Sequence, residues 1–422
     1  MLARQNRVEK LLAALQRGES AEIVAEALEE LIDKQVKPHE ARAALLAAKE
    51  SYPADEETDL QKLLLQIAAA QPDPAFAPII ENDFERYSPE AKAAALRLLI
   101  AIDTSEAIQL FTRFMQRDAP ELDEIPLYAL EEAPRHAPIL FPDLLALLSD
   151  EDAAQHHFQI TRLCWHYCQA GALTPQQIAS AAPHILACYD RLDAELAPQQ
   201  NPADMRWIWD DEDYLASRND MAVLLDLMGY FDALETRARL QRAAAYADTR
   251  LCLYAALSLI RLGEAAPAQA LARAAQSPET RRWLFERLQA MGRLDLYPQA
   301  HATQEALAES VMVDWLLFPT ELGCPPDEIQ LAGVYDIQTD EGVAEAYLFR
   351  FRMEDEDWEV GLAGPFLKAE QPTTSGLGAT FSRFEKWRDF LLDKHVERIL
   401  DLTGESGWRV VGKRQIIPDG AP

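Results

Sequence analysis

The chain changes character near residue 310, and this change limits the folds it can form. Upstream of that point, apolar residues recur at helical spacing in segments of roughly 12–18 residues, which Pro, Gly or Asp separate. Downstream, apolar and polar residues alternate with the two-residue period of β-strands. We therefore expect a long helical region over residues 1–310, with a sub-boundary near 197–211, and a small α+β domain over residues 311–422.

The links between consecutive predicted helices are short, which favours antiparallel helix pairs stacked as an α-solenoid. Residues 94–99 and 255–260 have similar sequences, and each segment lies on the first helix of a predicted pair. Ser88-Pro89-Glu90 and Ser277-Pro278-Glu279 are also alike. Serine accepts free amides of the first helical turn, proline suits the first helical position, and glutamate complements the helix dipole. Both tripeptides therefore predict helix starts.

The helix pairs over residues 20–300 resemble the HEAT-repeat family in its divergent bacterial form, although their repeat length is irregular. The resemblance implies an extended surface that binds other macromolecules. It also leaves an enzyme open, because some HEAT-like solenoids are DNA-base glycosylases or tetrapyrrole-attaching lyases. A glycosylase of that type needs a cationic concave face, and the charge of this chain argues against one.

The C-terminal region predicts one antiparallel sheet with a helix across one face. The alternation places Tyr347, Phe349 and Phe351 on one face of a strand and Leu348 and Arg350 on the other. The predicted strands cover residues 328–338, 344–353, 358–363 and 408–417, and the predicted helix covers 381–402.

The chain carries 70 acidic and 40 basic residues, a formal net charge of −30. Residues 311–422 hold 21 acidic and 11 basic residues, so −10 of this charge falls there and −20 on residues 1–310. Such an excess repels nucleic acids and anionic membranes, and it favours a basic protein partner. A surface that is merely well solvated is the alternative explanation.

No secretion signal or membrane span is expected, because the N-terminus lacks an apolar core segment and no long uncharged apolar stretch occurs. The five cysteines form an odd count, which fits reduced thiols better than a disulfide framework. Both observations predict a cytoplasmic protein.

One aromatic and acidic segment interrupts the helical periodicity and is the best candidate for partner binding. Aromatic anchors beside carboxylates suit a partner that presents Arg and Lys side chains. The alternative is that the aromatic residues belong to the core and the acids to a solvated turn. The candidate residues are Trp207, Trp209, Asp210, Asp211, Glu212, Asp213 and Tyr214.

A second group of residues raises the question of a metal site. His157, Cys164 and Cys168 share one face of a predicted helix, with His156 and His166 close by in sequence. A structural zinc site needs four ligands, and these usually come from two chain segments. Because the second segment is missing, we favour buried thiols on a core stripe and expect neither a metal nor a cofactor.

The segment Gly376-Leu377-Gly378-Ala379-Thr380 is superficially like a phosphate-binding turn, but it lacks the spacing and lysine of a P-loop. We expect a connector in which Thr380 caps a helix.

No catalytic signature is present, so a non-enzymatic role is favoured. The sequence thus predicts a protein that binds and neutralises a basic partner, for instance a toxin, as an immunity protein does. A structural adaptor or scaffold is the alternative, and a HEAT-like enzyme is less favoured. The oligomeric state is left open.

Overall fold

The structure is a computed structural model that describes residues 6–52, 59–122, 125–141, 143–200, 205–354, 356–378, 380–404 and 407–418. It is mainly helical and ends in an antiparallel sheet, which confirms the fold class at this level. The chain divides into two compact units, Met1–Tyr189 and Asp190–Pro422. The predicted boundaries near residue 310 and at 197–211 stay predictions, and residues 201–204 of the latter lie outside the described part.

The first unit is built of helices. Their bounds are α1 Arg7–Gln16, α2 Ala21–Asp33, α3 Pro38–Ala48, α4 Leu60–Ala69, α5 Ala77–Asp83, α6 Pro89–Ile102, α7 Ser105–Asp118, α8 Ala137–Leu140, α9 Asp143–Leu147 and α10 His157–Gln169, followed by α11 Pro175–Leu196, which crosses into the second unit. Helices close in sequence pack on one another, as α3 does on α4 and α4 on α6. Whether they form a HEAT-like solenoid stays a prediction.

The two serine-proline-glutamate tripeptides both lie at helix starts, as predicted. The Ser88 hydroxyl accepts the amide hydrogen of Ala91 at 3.0 Å, so that α6 begins at Pro89 with a side-chain cap. Ser277 differs, because its side chain makes no capping hydrogen bond although a helix begins at Pro278. Ser277 also ends the preceding helix, so its backbone serves two helices at once.

The second unit continues with helices and then forms the sheet. The helices are α12 Glu212–Leu227, α13 Leu234–Ala243, α14 Thr249–Arg261, α15 Ala268–Gln276, α16 Pro278–Ala290, α17 Gln304–Leu316 and α18 Leu392–Leu400; the strands are β1 Glu328–Thr339, β2 Gly342–Arg352, β3 Glu359–Leu367, β4 Phe381–Lys386 and β5 Arg409–Gln415.

The sheet is antiparallel throughout, in the order β4-β3-β2-β1-β5. The predicted alternation on β2 is confirmed: Tyr347, Phe349 and Phe351 pack with α17, whereas Leu348 belongs to the opposite face. That opposite face packs against α18, through Val396 and Ile399 among others. Helices therefore cover both faces of the sheet, α17 on one and α18 on the other. The prediction of a helix on one face was incomplete. It considered only the helix that follows the strands, whereas α17 precedes them in sequence.

The predicted helix over residues 381–402 is wrong in its first part. Residues 381–386 form β4, which pairs with β3 at the positions Gly361 with Ser382 and Leu362 with Phe381. Leu392–Leu400 is α-helical, and Asp401–Thr403 add a turn of 3₁₀-helix. Pairing with a strand about twenty residues earlier decides this conformation, and helical spacing in a local window does not reveal such a partner.

Among the residues that the structure describes, no helix combines the length and the apolar character that crossing a membrane requires.

Candidate functional site

The predicted aromatic and acidic segment forms the entry to α12 in the second unit. Arg206–Trp209 make one turn of 3₁₀-helix, and the Asp211 carboxylate then accepts the amide hydrogen of Tyr214 at 2.9 Å as the N-cap of α12. Glu212 and Asp213 occupy the first turn, where negative charge complements the helix dipole. Local chain geometry therefore brings the seven predicted residues to one helix end.

Two of the aromatic residues serve the interior of this unit. Tyr214 is buried, and its hydroxyl donates to Asp248 at 3.2 Å and accepts from the Gln200 amide at 3.0 Å. Burial, together with the charge of Asp248, raises the pKa of Tyr214 well above its usual range. The Trp207 ring lies edge-on to Tyr214, with 4.9 Å between ring centroids. Tyr214 is thus out of reach of a partner.

Trp209 lies against a buried ionic cluster. The guanidinium carbon of Arg218 is 5.2 Å from the centre of the Trp209 ring, and the Arg218 side chain is only 1 % exposed. Arg218 donates from Nε to Asp248 at 2.7 Å and from Nη2 to Glu279 at 2.5 Å. Burial alone would lower the pKa of Arg218, but the two carboxylates outweigh it and raise that pKa. The cation is therefore fixed under Trp209.

The carboxylates that follow Trp209 have no such counterions. We call Asp210, Asp211, Glu212 and Asp213 the acidic run. Asp210, Glu212 and Asp213 are exposed, and within the described residues none of the four forms an ion pair with Lys or Arg. The acidic run therefore presents uncompensated negative charge to solvent beside a tryptophan.

A cavity of about 800 Å³, the main cavity, opens next to Trp209. Its walls come from α14, α16, α17 and the chain around residues 374–381, all within the second unit. Six of the nineteen lining residues are aromatic, namely Trp209, Tyr254, Trp283, Trp315, Phe318 and Phe381. This size and this aromatic lining are typical of ligand-binding cavities.

The charged residues of the main cavity differ in how they are neutralised. Asp314 receives a hydrogen bond from Arg282 at 2.8 Å and a longer one from the Trp283 indole at 3.4 Å. Burial nevertheless raises the pKa of Asp314, while Arg282 opposes that rise. Glu279 is held by Arg218. Arg250 is half-buried, and its charge also opposes the rise in the pKa of Asp314, but it forms no ion pair or side-chain hydrogen bond within the described residues.

A smaller cavity of about 350 Å³, the side cavity, shares Trp209 with the main cavity. Asp210, Cys324, Pro325 and Met353 contribute to its lining, together with Arg206 and Asp327, which form an ion pair with each other. Trp209 therefore lines two cavities, and Asp210 lies at the side cavity.

The predicted histidine and cysteine group lies in the first unit. Cys164 and Cys168 are buried, and burial raises the pKa of Cys164 well above its usual range. The Nε2 atom of His156 lies 3.0 Å from the Ala119 carbonyl oxygen, and that of His157 lies 2.9 Å from the Asp150 carbonyl. His166 Nε2 is 3.2 Å from a Glu131 carboxylate oxygen. No group of three His, Cys, Asp or Glu residues among those described is arranged to hold a metal ion.

The glycine-rich segment before residue 381 does not start a helix, so the predicted capping role of Thr380 is wrong. Thr380 precedes β4, and its hydroxyl accepts the amide hydrogen of Gly364 at 3.2 Å. The Leu377 amide donates to the Pro365 carbonyl at 2.8 Å. Ala379 lies outside the described residues. Gly376, Gly378 and Thr380 instead contribute to the wall of the main cavity.

Sequence patterns did not single out most residues of the main cavity. Arg250, Trp283 and Phe318 lie on different helices or links, so no spacing within one segment connects them. The structural feature that points to a binding site here is the exposure of two aromatic side chains, Trp283 at 40 % and Phe318 at 53 %. Exposed large aromatic side chains often mark binding surfaces, but the sequence alone does not reveal exposure.

Comparison with protein-family models, curated proteins and solved structures yielded no match for this chain. The HEAT-like resemblance therefore rests on the residue patterns given above, and the function must be argued from the site.

Proposed function

We propose that this chain is a non-catalytic, cytoplasmic binding protein that recognises a basic protein through the acidic run and Trp209. Its most concrete form is an immunity or antitoxin type of protein from a bacterium, with HEAT-like helix pairs as the scaffold. The observation that carries the proposal is the exposure of Asp210, Glu212 and Asp213 without counterions, directly after a tryptophan that lines two cavities.

The charges of the chain support this choice of partner. A formal charge of −30 accelerates encounter with a cationic protein, and local carboxylates then select where it binds. Arg218 holds the Trp209 ring from one side, so the ring needs little ordering on binding. An arginine of the partner has carboxylates for charge-assisted hydrogen bonds and an aromatic ring for stacking at the same place.

Asp211 is not part of the proposed contact surface, because its carboxylate already caps α12. Tyr214 and Trp207 contribute by holding the entry to α12 in place. The partner-facing set is therefore Trp209, Asp210, Glu212 and Asp213.

The proposal is tested by capturing partners from native lysate on three immobilised proteins. These are the wild type, a site variant with Asp210→Asn, Glu212→Gln and Asp213→Asn, and a control with Glu22→Gln, Glu26→Gln and Glu29→Gln. The control residues are exposed on α2 and form no ion pair within the part of the chain that the structure describes. Both variants lose the same charge. Bound proteins are quantified by mass spectrometry after washes at ~0.05 M and ~0.5 M salt.

We expect a basic protein that the wild type and the control retain at low salt and that the site variant loses. High salt should weaken the same contact, because screening acts on exposed charges. Capture of only acidic proteins, or equal retention by both variants, contradicts the proposal. Salt-insensitive capture of several neutral proteins by all three proteins supports a structural adaptor instead.

A further inference from the structure

The main cavity has features that binding of a basic protein does not use. It encloses about 800 Å³ between aromatic side chains of three helices and the link before β4. Trp315 lies 5.4 Å from Phe381 and 5.9 Å from Phe318, centre to centre, and each pair is edge-on. Mutually packed rings form a wall against which a planar molecule can lie. The volume is that of a site for a small organic ligand.

The distribution of charge in this cavity selects the sign of that ligand. Both carboxylates of the lining already have a guanidinium partner, since Glu279 is bound to Arg218 and Asp314 to Arg282. Arg250 differs, because within the described residues its guanidinium forms no ion pair and no side-chain hydrogen bond, and it acts on Asp314 only as a neighbouring charge. A bound anion supplies the acceptor for a charge-assisted hydrogen bond that Arg250 lacks within the described residues.

We propose that the main cavity binds a free small molecule with a planar aromatic body and one anionic group, such as an aromatic carboxylate or sulfonate. The aromatic body lies against the wall of Trp315, Phe318 and Phe381, and the anion accepts hydrogen bonds from Arg250. The proposed ligand does not contact the acidic run. Trp209 lines this cavity as well, but the contacts with Phe318 and Arg250 do not depend on binding of a basic protein.

The test uses two fluorescent probes of similar shape at one fixed ionic strength. The anionic probe is 1-anilinonaphthalene-8-sulfonate, and the neutral probe is N-phenyl-1-naphthylamine, which lacks the sulfonate. Each probe is titrated against the full-length wild type, Arg250→Gln, Phe318→Ala and two controls. Arg293→Gln removes an exposed arginine that does not line the cavity, and Tyr128→Ala removes a ring as exposed as Phe318, at 53 %.

We expect Arg250→Gln to weaken the anionic probe roughly tenfold, because one charge-assisted hydrogen bond is lost, and to leave the neutral probe within about twofold. Phe318→Ala should weaken both probes, since it removes part of the aromatic wall. Neither control should change either affinity.

Retention of the neutral probe also shows that the cavity is intact in Arg250→Gln. Equal effects of Arg250→Gln and Arg293→Gln on the anionic probe overturn the proposal. Loss of both probes from Arg250→Gln overturns it as well, because Arg250 then supports the cavity and does not select the anion. If Phe318→Ala and Tyr128→Ala change the probe affinities equally, the probes bind outside the main cavity, and the proposal is overturned.

Discussion

Two groups of carboxylates lie close to Trp209 in the chain's second unit, and they differ in whether a counterion neutralises their charge. Asp248 and Glu279 bind the buried guanidinium of Arg218 under the Trp209 ring. The acidic run after Trp209 is mostly exposed and has no ion pair within the described residues. The first group holds the fold together, whereas the second leaves its charge available to a partner. The same residue type therefore serves stability or recognition according to its burial and counterions.

The first unit contains a further carboxylate that a guanidinium neutralises. Glu40 is buried at the start of α3 and accepts two hydrogen bonds from Arg7, each 2.6 Å long. The Arg7 guanidinium outweighs burial and lowers the pKa of Glu40 to about 2. Glu40 also accepts the amide hydrogen of Lys37, the N-cap residue of α3, at 3.0 Å. The same carboxylate therefore stabilises the start of this helix.

The largest expected effect comes from removing the buried cation. Arg218→Met should lower the free energy of unfolding by about 3–5 kcal/mol, because the buried Asp248 and the partly buried Glu279 are then left without their counterion. Urea unfolding followed by tryptophan fluorescence measures the change. Arg293→Met is the matched control, since Arg293 forms an exposed pair with Asp295 whose loss should cost about 0–1 kcal/mol. Equal losses in the two variants contradict a structural role for the buried cluster.

The second effect is a pH dependence that Glu40 carries. Because the folded-state pKa of Glu40 is lowered to about 2 from its usual value near 4.5, its stabilisation is present above pH 4.5 and is lost as the pH falls towards 2. We expect Glu40 to contribute about 1–2 kcal/mol at neutral pH, a figure reduced for solvent screening of the partly exposed Arg7. Unfolding free energies at pH 6 and pH 3, at low protein concentration, should differ less in Glu40→Gln than in the wild type. An unchanged difference contradicts this assignment.

The third prediction separates Asp211 from its neighbours. Asp211→Ala removes the N-cap of α12 and should lower the free energy of unfolding by about 1 kcal/mol. Chemical denaturation measures this loss. If Asp211→Ala is as stable as the wild type, the Asp211 carboxylate does not stabilise the start of α12, and the distinction between Asp211 and its acidic neighbours is wrong.

The smallest expected effect concerns the exposed acid next to Trp209. Asp210→Asn should change the free energy of unfolding by less than about 0.5 kcal/mol, since no described residue pairs with Asp210 and it precedes the helix. The same denaturation experiment checks it. A loss as large as that of Asp211→Ala indicates that the acidic run is structural throughout.

The sequence predicted those parts of the fold that depend on local pattern. The alternation in β2 assigned Tyr347 and Leu348 to opposite faces, and both faces are confirmed. The strand β4 was missed because its conformation depends on pairing with β3, which no local window reveals. The role of α17 on the sheet was missed for a similar reason, since strand and helix are distant in sequence.

The candidate site was predictable only where its residues are consecutive. The seven predicted residues, which lie within positions 207–214, do meet at the start of α12. Their individual burial was not predictable, and Tyr214 is an interior residue. The main cavity joins Arg250, Trp283 and Phe318 from three parts of the chain. Tertiary packing creates such a site, so neither composition nor spacing indicates it.

The central claim is that the acidic run recognises a basic protein by its position and not merely by its charge. The most direct measurement is the dissociation constant of the captured basic partner for the wild type, the site variant at residues 210, 212 and 213, and the control variant at residues 22, 26 and 29. We predict that the site variant binds roughly tenfold or more weakly, whereas the control stays close to the wild type. Equal weakening in the two variants would contradict the account, because net charge alone would then explain the binding.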